Sequence, residues 1–292
     1  MRSVLLDFFR TIAIMLVLFA HLNLEKFLGL KKFFGIQNFY WVSLGGVAVT
    51  MFLILSGIVL ELSYGKKKFQ YGYFLTRRFL KIYPVYYLSL FVGVLIYLQH
   101  NNWQCSVCNV PNLLAGITGF YAFIGKWGGP FVGTSWFIGL IITMYLLYPY
   151  ISKKIQSRPH TTLITLLIIS VLSRFLLGRY NILPTRPLDW FPLSRLFEFS
   201  LGIYLVNIIK RDLWLCMNDF KKIGRILAFS SEISFPLFLV HYPLLFLVKY
   251  FSRFTDYYLA IILYLGTSIM ISWIIIILSS RLSLFLSNYK QR

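Results

Sequence analysis

Leu6-Asp7-Phe8-Phe9-Arg10-Thr11-Ile12-Ala13-Ile14-Met15-Leu16-Val17-Leu18-Phe19-Ala20-His21 is the stretch on which the reading of this chain turns. It is apolar enough to cross a membrane, yet it carries Asp7, Arg10 and His21. Arg10 and His21 are eleven residues apart, so at ~100° per residue they return to nearly the same helix face, ~16 Å apart along the axis. Asp7 lies one turn before Arg10 on roughly the same stripe. A charged side chain inside a membrane helix costs at least ~2.5 kcal/mol, so it usually faces a protein interior or a water-filled cavity. The stripe therefore suggests a cavity crossing much of the membrane. The competing reading makes Asp7 and Arg10 interfacial anchors and His21 a belt residue at the far end. The stretch has no small-x-small cleavage site, so a retained helix is expected.

The rest of the chain agrees with a membrane setting. It is 58% hydrophobic with a mean hydropathy of +0.72, the composition of a polytopic membrane protein and not of a soluble domain. Nine apolar segments run roughly over 8–24, 39–62, 82–99, 111–127, 133–152, 161–178, 191–209, 232–252 and 257–280. No polar stretch is long enough to bury a core of its own, so residues 1–292 read as a single integral membrane domain. Aromatic residues make up 19% of the chain, more than interfacial belts need, so many must pack between helices or line a cavity.

The net charge of +20 does not mean nucleic acid, because the cations cluster in short loops between apolar segments, as the positive-inside rule describes. Membrane lipids of the inner leaflet are the partner expected for these loops. With the N-terminus inside and 111–127 not crossing, about twice as many Lys and Arg fall inside as outside. If 111–127 crossed, that bias would vanish. The segment is also short and interrupted by Gly116, Gly119 and Gly125. Eight crossings with both termini inside are therefore expected, in a multi-pass protein of the cell membrane. Cys105-Ser-Val-Cys108 then lies outside and reads as a disulfide or two idle thiols. No metal site is expected, since zinc needs four ligands and the nearby extra candidate is His100. Cys216, in a basic inner loop, reads as inert.

Five further groups of residues stand out. Arg77, Arg78 and Lys81 sit where an inner loop meets a helix, with Arg78 and Lys81 on one face. They suit phosphate groups, or serve as plain inner-side anchors beside a belt of Tyr83, Tyr86 and Tyr87. Arg195 and Glu198 are three apart inside an apolar segment, a functional pair or an ion pair locking two helices. His241 lies between Pro236 and Pro243; it is either an acid–base group or a core histidine bonded to a carbonyl that a proline has freed. Gly45-Gly46 and Ser56-Gly57 read as close helix packing. Gly128-Gly129-Pro130 and Gly133 read as a loop leading to a helix near Ser135-Trp136.

In order along the chain, these stretches resemble the acyltransferase-3 family of integral membrane O-acyltransferases. The resemblance rests on Leu6-Asp7 with Arg10 and His21; Leu55-Ser56-Gly57; Arg77-Arg78-Phe-Leu-Lys81-Ile-Tyr-Pro84-Val-Tyr86; and Trp136 through Tyr145-Leu-Leu-Tyr-Pro149. Arg195-Leu-Phe-Glu198-Phe and Ser234 to Pro243 complete it. Three positions depart from the family pattern: Thr50 where an Asp is frequent, Ile141 where a Glu is frequent, and Lys81 in place of Arg. The resemblance implies an all-α, polytopic membrane helix bundle of about eight to ten transmembrane helices. It also implies transfer of an acyl group, usually acetyl, from acetyl-CoA or another acyl-CoA as co-substrate to a carbohydrate hydroxyl, with no permanently bound cofactor.

On that reading His21 is the general base or transient acyl carrier, and Arg10 and His241 are the other catalytic candidates. Arg77, Arg78 and Lys81 would hold the coenzyme A phosphates. Asp7, Trp136, Tyr145, Arg195 and Glu198 would line the cavity. The runner-up function is a transporter or flippase for a glycan or lipid-linked precursor. The chain lacks a clear internal repeat of the kind that marks many transporters.

Overall fold

The computed structural model describes residues 3–22, 44–65, 69–125, 128–180, 187–209 and 221–289. The loop cations Lys26, Lys31, Lys32, Lys66, Lys67, Lys68, Lys126, Arg186, Lys210 and Arg211, together with Cys216, lie outside the described residues.

Among the described residues every regular element is helical: α1 (Val4–His21), α2 (Leu44–Tyr64), α3 (Tyr71–His100), α4 (Val110–Thr118), α5 (Trp136–Ser157), α6 (Pro159–Tyr180), α7 (Pro187–Trp190), α8 (Pro192–Ile208), α9 (Lys221–Val240), α10 (Phe246–Phe251) and α11 (Tyr257–Tyr289). Six of these are long and apolar enough to cross a membrane, and α9 with the segment through α10 makes a seventh if that bent pair is one span. The eighth expected crossing is α8. It has 17 residues, about 25 Å at 1.5 Å per residue against a hydrocarbon core of about 30 Å, and it carries Arg195 and Glu198.

Segment 111–127 forms no span. Its helix, α4, has nine residues and stops at Gly119, whose φ of 80° is a left-handed conformation that glycine adopts without strain. A short 3-10 turn, Tyr121–Ile124, follows. The apolar run 232–252, expected as one segment, is bent by 77° between Val240 and Pro243. Proline at 243 has no N–H to continue the helical ladder.

The chain divides into two compact units, residues 1–72 with 140–232 and residues 73–139 with 233–292. In the first unit α1 packs on α2, α2 on α8, and α8 on α6. Leu6 shares a cluster with Leu55 and Ile58, flanked by Leu205 and Val206. Beyond Ile58 only the last turn and a half of α2 remains, so α1, which stays packed on α2, runs back toward Leu44.

Helices α2 and α8 run parallel, as three levels of contact show. Arg195 bonds Thr50, Gly57 faces Gly202, and Asn207 bonds Glu61. The first two levels are seven residues apart on both helices, two turns, which returns each helix to the same face. A Cβ on Gly57 would lie 2.2 Å from the Phe199 carbonyl oxygen, and one on Gly202 would lie 2.0 Å from that of Ile54. The two backbones therefore touch, as small residues permit in membrane helix pairs. This supports the packing reading of Ser56-Gly57.

The second unit joins α3, α4, the start of α5, the end of α9, α10 and α11. Its core includes Phe74, Tyr86, Tyr121, Ile138 and Tyr264, all essentially without exposure. The Thr134 hydroxyl donates to the Phe238 carbonyl at 2.9 Å and reaches that of Leu239 at 3.5 Å. Leu239 is the carbonyl that Pro243 leaves without its helical donor.

Candidate active site

Helix α1 starts from a Ser3 cap and presents positions 7, 10, 14, 17 and 21 along one stripe at alternating steps of three and four. Asp7, Ile14 and Val17 on that stripe are buried, whereas Phe8, Phe9, Met15 and Phe19 on the opposite side are exposed. Arg10 and His21 therefore lie on the face that packs inward, each partly accessible. This favours the interior-stripe reading over lipid-facing anchors. Arg10 Nη1 donates to Asp7 Oδ1 at 3.4 Å and to the Ser231 hydroxyl of α9 at 3.3 Å. The Thr11 hydroxyl caps the Asp7 carbonyl at 2.9 Å. His21 is the last residue of α1. Because α1 runs back along α2, His21 stands at the end of this unit that also holds Thr50 and Arg195.

That end contains a charge cluster built by four elements. Arg195 (2% exposed) donates through Nη1 to Glu198 Oε1 at 3.1 Å and to the Thr50 hydroxyl at 3.2 Å. Its Nε and Nη2 reach the Asp189 carbonyl at 3.1 Å and carboxylate at 3.4 Å. Arg174 of α6 donates through Nε to the Ser194 carbonyl at 2.8 Å and through Nη2 to Glu198 Oε1. Two guanidinium groups thus meet two carboxylates, so the buried charges compensate one another. Both arginines converge on Oε1 of Glu198; its Oε2 is buried with no hydrogen-bond partner among the described residues. Thr50 supplies a neutral acceptor to Arg195.

A third buried carboxylate, after Asp7 and Glu198, went unnoticed in the sequence. Glu61 (5% exposed) accepts from the Tyr148 hydroxyl at 3.0 Å, the Ser152 hydroxyl at 2.7 Å, Gln156 Nε2 at 2.8 Å and Asn207 Nδ2 at 3.1 Å. Four neutral donors from α5 and α8 fill the sites that water would occupy. The signal was one acid in the otherwise apolar run of α2. Arg174 and Asp189 were missed because nothing in their local sequence shows that Arg174 turns toward Glu198 and Asp189 toward Arg195.

The remaining candidates fall as follows. Tyr145 belongs to the first unit and is half-buried. In the second unit Arg77 and Lys81 are exposed and Arg78 is half-buried near the start of α3. Arg77 donates to the Tyr73 hydroxyl at 2.6 Å and lies 5.5 Å from that ring, while Arg78 lies 5.7 Å from the Phe74 ring. Trp136 is buried at the first turn of α5, edge-on to Phe137. His241 is fully buried at the bend after α9. Its Nδ1 is 3.1 Å from the Leu237 carbonyl, not the Leu239 carbonyl that Pro243 frees, and its own carbonyl accepts from Tyr264 at 3.0 Å. The Tyr121 hydroxyl is buried without a partner among the described residues, and burial pushes its pKa up to about 12. Cys105 and Cys108 are disulfide-bonded. Among the described residues no three His, Cys, Asp or Glu are grouped to hold a metal ion.

The family described as an acyltransferase domain, acyltransferase-3, matches residues 4–214. The chain belongs to the acyltransferase-3 family. The match takes in the α1 stripe, the Arg77–Lys81 cluster, Trp136, and Arg195 with Glu198, and it ends before His241. The chain is also similar to the acyltransferase MdmB of Streptomyces mycarofaciens, at 26% identity over 197 residues, covering 59% of this chain and 49% of that protein. It thus spans about half the length of this curated relative. No solved structure matches the chain. The match takes in Thr50, Lys81 and Ile141, the three expected departures from the family pattern. Ile141 is buried in the hydrophobic core, so a glutamate there would need buried partners of its own.

Proposed function

We propose that this acyltransferase-3 protein is a membrane-embedded O-acyltransferase of the cell membrane. It moves an acyl group, acetyl by preference, from cytosolic acyl-CoA to a hydroxyl of a cell-envelope or exported carbohydrate. The observation that carries the reading is the inward stripe of α1, with Arg10 and His21 at its two ends, inside a matched acyltransferase domain.

The chemistry asks little of the chain. The acceptor hydroxyl loses its proton as its oxygen attacks the thioester carbonyl. The carbon–sulfur bond breaks, and the coenzyme A thiolate leaves and is protonated. His21, at the end of α1 that the charge distribution puts outside, takes the hydroxyl proton. Arg77, Arg78 and Lys81 are cations on the side where acyl-CoA is found, and guanidinium forks match phosphate oxygens. Arg10 keeps Asp7 and Ser231 as partners and helps seat the donor. Tyr145, Arg195 and Glu198 shape the acceptor side in the first unit; in the second unit His241 is the second acid–base group and Trp136 a cavity residue.

The test uses the protein in liposomes with acetyl-CoA labelled in the acetyl group and the host's glycan fraction. Alkali-labile label on the glycan, matched by release of free coenzyme A, is the expected result. Glycan crossing the bilayer with no coenzyme A dependence and no new ester would overturn the assignment.

A further inference from the structure

We infer that Oε2 of Glu198 is the atom on which a hydroxyl of the carbohydrate acceptor docks. The inference rests on the O-acyltransferase reading and adds the contact through which the acceptor is held. Glu198 is a carboxylate with its two oxygens used unequally. Oε1 receives Arg195 Nη1 and Arg174 Nη2, whereas Oε2, equally buried, receives nothing among the described residues.

A buried acceptor left unmade is costly, and in native structures such atoms call for an explanation. Structural locking alone does not supply one. A lock made only to join α6 and α8 would gain by giving each guanidinium its own oxygen, the two-pronged geometry that arginine favours. Here both guanidinium groups are gathered on one side, which orients the carboxylate and leaves the other oxygen for a donor. The site has a rim. The side chains of Arg174 and Asp189 keep 18% and 20% of their exposure, and that of Glu198 keeps 9%.

The chemistry selects the ligand class. An acceptor-only oxygen flanked by two cations accepts from a neutral O–H donor and repels a carboxylate or phosphate only as far as Glu198 itself does. The two guanidiniums can then receive the oxygen of a neighbouring hydroxyl. That pattern fits a polyhydroxylated sugar and gives no preference to an apolar alcohol. Glu198 acts here as a binding residue for the acceptor. The proton transfer stays with His21.

The test measures equilibrium binding of p-nitrophenyl β-glucoside and p-nitrophenyl β-galactoside to the full chain in liposomes, without acyl donor, for the wild type and Glu198→Gln. Acetyl transfer from acetyl-CoA to the same glycosides is followed in parallel. The expected result is a rise in glycoside Kd of about tenfold in Glu198→Gln, the scale of one hydrogen bond to a charged group. The KM for acetyl-CoA should stay unchanged, while the melting temperature falls, because two buried guanidiniums are left with one carboxylate. Arg174→Gln leaves Oε2 in place and removes one guanidinium, so it should raise the glycoside Kd by less than Glu198→Gln does.

An unchanged glycoside Kd in Glu198→Gln would overturn the inference. So would an equal loss of glycoside binding in both variants, the pattern of a purely structural ion pair. Absence of glycoside binding by the wild type would overturn it as well. If Glu198→Gln does not fold, Glu198→Asp, which withdraws both oxygens by one methylene, serves the same comparison. Wild-type binding that is lost in the variant, with no acetyl ester ever formed, would keep the docking atom and refute the acyltransferase reading.

Discussion

Arg195 donates a 3.2 Å hydrogen bond to the hydroxyl of Thr50, and through it the level of the parallel α2–α8 pair nearest the two helix N-termini is fixed. Here two carboxylates, Asp189 and Glu198, already balance Arg174 and Arg195. Thr50→Val removes one acceptor from a buried guanidinium and should cost about 1.5–3 kcal/mol. Thr50→Asp adds a third anion to a balanced cluster and should be the worse of the two, since an uncompensated buried charge is the more expensive fault. Melting temperatures of both variants in one detergent check the ranking. A Thr50→Asp protein as stable as the wild type would show that the cluster is not balanced as described.

The glycine crossing makes a sharper demand. Gly57→Ala or Gly202→Ala places a methyl group about 2 Å from a backbone carbonyl oxygen of the facing helix, so the helices must part. Overpacking of this kind costs typically about 1–3 kcal/mol and sometimes more. Both variants should melt well below the wild type and lose activity together with stability. By contrast Gly178→Ala, where a Cβ meets nothing within 4 Å, should be neutral or slightly stabilising.

At Glu61 the backup acceptors decide the magnitude. Tyr148 also reaches the Leu60 carbonyl at 3.2 Å, Gln156 the Gly65 carbonyl at 2.8 Å, and Asn207 the Ile203 carbonyl at 2.9 Å. Deleting the carboxylate therefore strands fewer donors than its four bonds suggest. Glu61→Leu should cost about 1–3 kcal/mol, not four times that. Glu61→Gln, which keeps one acceptor oxygen, should fall between. A wild-type melting curve for Glu61→Leu would contradict the network.

Tyr121 gives a pH prediction. Its hydroxyl is raised from the ordinary 10.0 to about 12 in the folded protein. Between those values the unfolded chain has lost the proton and the folded chain has kept it, so stability falls as pH rises through this window. Tyr121→Phe removes this contribution and also a buried donor without a partner. It should match or exceed the wild type in stability at pH 7 and lose less between pH 10 and 12, as read from melting temperature against pH.

Much of the fold was legible because membrane spans announce themselves by length and apolarity. Over the described residues each of the eight expected crossing segments is mainly helical, with 232–252 broken at His241, and 111–127 was separable by its length and its glycines. The bend at His241 was half-legible: Pro243 marks it, but which group would meet the freed carbonyl depended on Thr134, over a hundred positions away. In the site, Asp7 with Arg10 and Arg195 with Glu198 were readable from a spacing of three on one helix. Arg174, Asp189 and the Glu61 network were not, because their partners come from other helices and no local spacing encodes them.

The central claim is that transfer runs through the first helix, and loss of the His21 imidazole tests it most directly. Inverted membrane vesicles carrying the wild type or His21→Ala would be given labelled acetyl-CoA and the host's glycan fraction, with melting curves to show that both are folded. The account predicts labelled glycan ester from the wild type and a drop to background in His21→Ala. Full transfer by a folded His21→Ala protein would contradict it.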